Sequence, residues 1–339
     1  MKIKLCAMIL AITVLVVGCT NNKPNLDTSS YDNFPDKNIK IVVGYSSGGS
    51  SDKLARIVQP FLEKELGVSV VVENMPGAGG QIAATNLMRQ DADGYMILAV
   101  NSPGIYYTVA LQDTAYAYDD LYPLWIESYD PIVLLTLNDS EWTNLADFIE
   151  AAKSNPGKYS VGFAAGGGQQ ATAAWLKENM NLDIKLVSYD GGGNTSAALL
   201  GGHVDAIFGD AYARVDLKTE AKCLAIASES PNTVWENAST FNEQLKEYSL
   251  ELPEPEFQVR YGAYWVNKKF VEDYPERAKK IVSAFEDVSK NEEYIQLLKD
   301  SGVYDSMVLI PGEDYMEQFK KSSKNIENLI PGLLGSDNN

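Results

Sequence analysis

From Ile39 onward, short unbroken apolar runs alternate with segments in which apolar residues recur every three or four positions. Ile39–Val43 is the first run, closed by Gly44, and reads as a strand. Over Ser51–Leu66, Leu54, Ile57, Val58, Phe61, Leu62 and Leu66 keep helical spacing. Strands are expected next at Val68–Val72, Tyr95–Val100 and Ile132–Leu137, with a helix at Ile82–Met88. This strand–helix rhythm predicts a mostly parallel sheet covered on both faces. It repeats from about Asn138 to Glu256. There, helices are expected at Trp142–Ala152, Thr172–Met180 and Ser196–Leu200, and strands at Tyr159–Phe163, Ile184–Val187, Val204–Phe208 and Cys223–Ala227. Pro253, Glu254, Pro255 and Glu256 break the pattern. Val259–Val266 then reads as a long apolar strand, and helical spacing fills Tyr274–Lys290, Glu292–Lys299 and Glu313–Leu329.

The first residues follow neither rhythm. Lys2 and Lys4 precede an apolar run from Leu5 to Val17, interrupted only by Thr13. That run is shorter than the roughly 20 residues a spanning helix requires, and it has the charged start and apolar centre of an export signal. It ends Val16-Val17-Gly18-Cys19, which resembles the lipobox of bacterial lipoproteins. The reading is a signal peptide at 1–18 and a lipidated Cys19 that anchors the chain to the outer face of the cell membrane. Polar, turn-rich residues up to Pro35 make a flexible tether.

Composition narrows what the folded part does. The chain has 339 residues, enough for about two domains. Its formal charge of −18 repels phosphate backbones, which argues against a nucleic-acid partner. Of three cysteines, Cys6 leaves with the signal and Cys19 is modified. Cys223 is left alone in an apolar run, so no internal disulfide is expected, and it reads as a buried strand residue. No His/Cys cluster offers a metal site, and no cofactor is implied.

The candidate chemistry lies in three glycine-rich strand-to-helix turns. They are Gly44-Tyr45-Ser46-Ser47-Gly48-Gly49-Ser50-Ser51-Asp52, Pro76-Gly77-Ala78-Gly79-Gly80, and Ala164-Ala165-Gly166-Gly167-Gly168-Gln169-Gln170. Without a Cβ, glycine lets backbone N–H groups converge on an anion, and the helix start adds partial positive charge. Four such bonds at about 1.5–3 kcal/mol each suffice for micromolar binding of a carboxylate or phosphate. Little arginine lies near these turns; Arg56 is expected to pair with Asp52 one helical turn away. Main-chain amides, rather than basic side chains, are therefore expected to hold the anion. No Walker lysine or complete dinucleotide fingerprint is present. The single histidine, His203, has no Gly-x-Ser-x-Gly elbow to serve and reads as a turn residue.

Residues 35–100, from Pro35-Asp36-Lys37-Asn38-Ile39 through Gly48-Gly49-Ser50-Ser51-Asp52 to Glu73-Asn74-Met75-Pro76-Gly77-Ala78-Gly79-Gly80 and Asp93-Gly94-Tyr95, resemble the solute receptors of tripartite tricarboxylate transporters, the Bug-type receptors. Tyr189-Asp190-Gly191 and Ala198 to Phe208 resemble that family's second signature. The likeness runs over nearly all of the chain after residue 35. It implies an α/β, two-lobed fold of the type II periplasmic-binding-protein kind with a central ligand cleft. Lobe 1 would comprise 36–137 plus 257–339, and lobe 2 would comprise 138–256. The resemblance implies that two loops act as pincers on a ligand carboxylate, Tyr45, Ser46, Ser47, Gly48, Gly49 and Ser50 in one lobe and Gly166, Gly167, Gly168 and Gln169 in the other. Asn101, Ser102, Tyr189 and Asp210 are further pocket positions by the same likeness. Two departures stand out: Ser46-Ser47 precedes the first double glycine, and Gln169 and Thr172 replace a small hydroxyl and a histidine in the second loop.

The expectation is a lipid-anchored, monomeric extracytoplasmic receptor, not an enzyme, that passes a small organic carboxylate to a membrane permease. Two alternatives stay open at this point. One is an exported hydrolase using the same cleft; the other is the binding component of a sensory system.

Overall fold

The computed structural model describes residues 33–228, 232–253, 258–321 and 324. The signal segment, Cys19, the tether up to residue 32, residues 254–256 of the proline break and the end of the expected tail helix lie outside the described residues. The chain opens with β1 (Ile39–Val43), α1 (Ser50–Leu66), β2 (Val70–Asn74), α2 (Gln81–Arg89), β3 (Met96–Ser102) and α3 (Gly104–Leu111). A long strand, β4 (Leu121–Leu137), leads out of this group. The middle of the chain holds α4 (Leu145–Ser154), β5 (Ser160–Ala164), α5 (Gly168–Asn179), β6 (Lys185–Tyr189) and α6 (Gly192–Leu200). It continues with β7 (Ala206–Asp210), β8 (Ala221–Ile226) and α7 (Phe241–Leu245). The chain then returns through β9 (Val259–Asn267), α8 (Lys268–Asp273), α9 (Pro275–Ser289), α10 (Glu292–Asp300) and β10 (Met307–Pro311).

The strand order is β2-β1-β3-β9-β4-β7-β5-β6, with β8 and β10 also paired to β4. Within each lobe the strands joined by helices run parallel, β2-β1-β3 in one and β6-β5-β7 in the other. The expectation of a mostly parallel sheet needs correction. β9 is antiparallel to β3 and β4, and β4 is antiparallel to β7, β8 and β10. A chain that leaves one lobe along β4 and comes back along β9 must place those two neighbours in opposite directions. β4 changes company at Pro131–Ile132: Leu121–Pro131 pairs with β9, and Ile132–Leu137 pairs with β7 or β8.

Sequence spacing missed the first eleven residues of β4 because Pro123, Glu127, Ser128, Asp130 and Pro131 interrupt its apolar run. The register shifts beside Pro123, where a proline interrupts the ladder, and again between Ile126 and Ser128. α5 and α6 start four residues earlier than their spacing suggested. Their first turns are rich in glycine, a poor helix former, but the first-turn amides need no intrahelical acceptor, so the penalty there is small.

Each lobe has its own core. In lobe 1, Trp125 stacks on Phe285 with ring centroids 5.5 Å apart. In lobe 2, Phe208 stacks on Phe241 at 6.1 Å, beside Phe148, Phe163 and Leu176. The opposite face of that sheet buries Leu199, Ile207 and Trp235. Cys223 lies in β8 as expected but is half-buried, its Sγ donating to the Ala225 carbonyl. No helix of the described residues is long and apolar enough to cross a membrane.

Candidate functional site

Open α/β sheets bind ligands beyond the carboxyl ends of their parallel strands. Here the carboxyl ends of β1, β3, β5 and β7 meet around a narrow cavity of about 20 Å³. Its walls include Tyr45 after β1, Asn101 and Ser102 at the end of β3, Gly166–Gln169 between β5 and α5, and Asp210 at the end of β7. Both lobes therefore contribute to its wall.

The α5 side carries the anion-binding geometry. α5 is capped by Gly167, which offers no side-chain cap, so its first-turn amides have no acceptor within the helix. Two glutamines brace the loop beneath them. Gln169 Oε1 accepts from Ala164 N at 3.0 Å, and Gln170 Oε1 accepts from Gly166 N at 2.9 Å. Gln169 Nε2 donates to Asp210 Oδ1 at 2.8 Å. Thr172 turns inward, its hydroxyl donating to the Gly168 carbonyl at 2.8 Å. The second-loop departures, Gln169 and Thr172, thus secure that loop's shape.

Opposite, the Tyr45 hydroxyl accepts from Asn101 N at 3.2 Å. Burial is the main cause that pushes its pKa up to about 12. The phenol stays protonated and keeps its O–H to donate into the cavity.

The remaining residues of the first pincer are placed differently from the expectation. Ser46, Ser47, Gly48 and Gly49 do not line this cavity, and Ser50 lines a neighbouring one. Gly48 N donates to Asp52 Oδ2 at 2.8 Å and Ser47 Oγ to the same oxygen at 3.2 Å. Arg56 Nε bonds Asp52 Oδ1 at 2.9 Å, the helical pair expected from sequence. Burial opposes the charge on Asp52. The bonds from Gly48 N and the Asn74 side chain, with Arg56, outweigh it and hold the carboxyl below its usual range. Asp52 is thus an internal anion that takes the donors the loop was expected to offer a ligand. Ser46 N reaches across to the Asp190 carbonyl at 3.3 Å. Tyr189 also stays outside the cavity; its ring lies against Gly162 and its carbonyl accepts from Ala165 N.

Sequence reasoning missed Arg260. This arginine of β9 is 5% exposed and lines the cavity, so a basic side chain does reach the site, contrary to the expectation of amides alone. Its Nε lies 2.9 Å from Asp210 Oδ2, NH2 lies 3.3 Å from Asp130 Oδ2, and NH1 donates to Asn101 Oδ1 at 3.4 Å. Burial works against the guanidinium charge, but Asp210 and Asp130 overcome it and raise its pKa. Asp130, 1% exposed, also accepts from Tyr212 N and Ala213 N at 2.9 and 3.0 Å. Burial raises its pKa despite the guanidinium beside it. A lone arginine in the apolar run Val259–Val266 was the available signal, since a buried charge demands a partner.

The lobes touch through glycines. Gly79 and Gly166 have φ values of +67° and +75°, and a Cβ on Gly166 would lie 2.6 Å from the Gly79 Cα. Lys53 Nζ bridges to Asp216 Oδ2 at 2.7 Å on the rim. His203 lies in an exposed turn and does not line the cavity.

The family model for the tripartite tricarboxylate transporter family receptor matches residues 54–331. The chain belongs to this family. Among curated relatives, BugT of Bordetella pertussis is 31% identical over 189 residues, 52% of this chain and 56% of that protein. The chain spans about half the length of the curated relatives it matches. Solved structures share the fold. The periplasmic binding protein BugD superposes with a TM-score of 0.79 at 21% identity, covering 88% of this chain and 98% of that one. MatC from Rhodopseudomonas palustris, solved with bound malate, gives 0.74 at 23% identity, covering 88% of this chain and all of that one. The fold is the two-lobed one of the periplasmic binding proteins.

Proposed function

We propose that this protein is a lipid-anchored extracytoplasmic receptor that captures a small organic carboxylate between its lobes and delivers it to a tripartite tricarboxylate-type permease. The observation that carries the reading is the uncapped α5 amino terminus facing a cavity to which both lobes contribute. Anions are stabilised at such a terminus by aligned amides and the helix dipole. The Tyr45 hydroxyl supplies a donor from the opposite lobe. The malate bound by the fold-mate MatC supports a carboxylate as the ligand class. Cys19, after its apolar leader, supplies the anchor, and closure of the lobes about β4 and β9 creates the surface that the permease reads.

The test is ligand-dependent thermal stabilisation of the purified full-length chain, freed of co-purified ligand, across a panel of small carboxylates. A rise in Tm with at least one carboxylate is expected. A folded protein that responds to none of them overturns the reading.

A further inference from the structure

We infer that a second chamber, set apart from the cleft, binds a small uncharged molecule with a ring-sized apolar body and one hydroxyl, and that this guest tightens the cleft's hold on its carboxylate. The chamber has a volume of about 240 Å³, against about 20 Å³ for the cleft cavity. Leu54 and Ile57 of α1 and Val303 beyond α10 line it from lobe 1, and Ala213 and Val215 beyond β7 line it from lobe 2. Asp130 of β4 and Arg260 of β9 lie between them. Arg260 lines both spaces, whereas Ser50 lines only the chamber and Asp210 only the cleft. Ser50 Oγ donates to Asp210 Oδ2 at 3.4 Å, and Arg260 Nε lies 2.9 Å from the same oxygen, so these three residues form the partition.

Size and chemistry select the guest. An apolar cavity of about 150 Å³ takes benzene, so this chamber has room for a substituted ring. Its aliphatic walls favour carbon, and an ion stripped of water there costs far more than a hydroxyl. The charged groups already face partners. Lys53 bonds Asp216 at 2.7 Å on the rim, and Asp130 accepts from Tyr212 N, Ala213 N and Arg260 NH2. One donor stays open: Arg260 Nε is buried and donates no hydrogen bond, even with Asp210 Oδ2 at 2.9 Å. A guest with a single oxygen brings an acceptor to that floor.

Coupling follows from what the walls are made of. Chamber and cleft are each built from both lobes. The chamber's two sides also touch directly, Lys53 on Asp216 and Gly302 against Val215, where a Cβ on the glycine would lie 3.2 Å from Val215 Cγ2. A molecule filling either space therefore favours the same arrangement of the lobes. Each then raises the affinity for the other, by the same factor. The coupling rests on the carboxylate reading of the cleft; the chamber's own guest does not.

The test uses benzyl alcohol as the probe on the full-length chain freed of co-purified ligand. Calorimetric titration should give a dissociation constant of about 1 mM or tighter, with protonated benzylamine at least about tenfold weaker. Val303→Phe, which fills the chamber, should abolish benzyl alcohol binding and leave carboxylate binding in place. Should that variant fail to fold, NMR contacts between the ring protons and the Val215 and Val303 methyls of the wild type locate the guest. With benzyl alcohol at saturation, the carboxylate that stabilises the wild type should bind about fivefold or more tightly. Three results overturn the chamber's assignment: no binding of benzyl alcohol, binding that survives Val303→Phe, or benzoate binding that this variant removes. An unchanged carboxylate affinity overturns the coupling alone. If benzyl alcohol binds and no carboxylate does, the reading of the cleft fails and the chamber stands.

Discussion

Arg260 and Asp210 come from different lobes, β9 and β7, yet the guanidinium Nε lies 2.9 Å from the carboxylate Oδ2. With Asp130 on the far side, they form a buried chain of charges where β4 and β9 pass between the lobes. Arg260 and Asp210 line the cavity, and Asp130 backs the guanidinium from behind.

Removing the cation from this chain should be severe. Arg260→Met keeps the volume but leaves Asp210 and Asp130 buried without their counter-charge, a change that costs about 3–5 kcal/mol. The rim pair between Lys53 and Asp216 is a contrast, with side chains 38% and 50% exposed. Lys53→Met should cost about 1 kcal/mol or less. Urea denaturation of both variants checks the order. Equal losses would show that the buried chain is solvated in the native state.

Glu127 of β4 gives a pH signature. It is buried beneath Tyr264, whose hydroxyl donates to it at 3.0 and 3.1 Å. Burial is the main cause that lifts its pKa to about 7, against the opposing effects of Tyr264, Arg260 and Tyr294. An acid whose pKa is raised on folding stabilises the native state while it is protonated in both states. That contribution is complete below about pH 4.5 and fades as pH rises to 7, by at most roughly 3 kcal/mol. Glu127→Gln should flatten this part of the profile, so its stability relative to wild type should rise between pH 5 and pH 7.5. Denaturation at the two pH values measures it, and a constant difference would refute the assignment.

How much of this was readable beforehand depends on how local each signal is. The strand–helix rhythm is local, and so are the glycine turns; Tyr45, Asn101, Gly166–Gln169 and Asp210 all stand on the cavity wall. What failed needed distant partners. Asp52 looks like an ordinary first-turn acid until the loop before it is seen to fold back onto it. Arg260 reads as an interruption in an apolar strand until Asp130, opposite it on β4, and Asp210 from the other lobe supply its counter-charges. β4 itself hides behind two prolines, of which Pro123 sits at a register shift against β9.

The proposed anchor makes a simple prediction. Wild-type chain expressed in a bacterial host should fractionate with membranes, because multiple acyl chains at Cys19 give durable attachment. Cys19→Ser should move it to the soluble fraction, or leave it held only by an uncleaved leader of unchanged mass. Recovery of the serine variant in membranes with its leader removed would rule out lipidation as the anchor.

The last prediction concerns closure. Gly79 of lobe 1 and Gly166 of lobe 2 approach so closely that a Cβ on Gly166 would sit 2.6 Å from the Gly79 Cα and 3.3 Å from its carbonyl oxygen. Backbone, unlike a side-chain tip, cannot swing aside, so Gly166→Ala must hold the lobes apart. It also places alanine at φ +75°, a strain of about 1–3 kcal/mol. Gly202 separates the two effects: its φ is +65°, but nothing lies within 4 Å of a Cβ built there. Gly202→Ala should lose similar stability and keep ligand affinity. Gly166→Ala should lose stability and also bind about tenfold or more weakly. Titration with whichever carboxylate stabilises the wild type distinguishes them. Equal affinity in the two variants would mean that the Gly79–Gly166 contact is not part of the ligand-bound state.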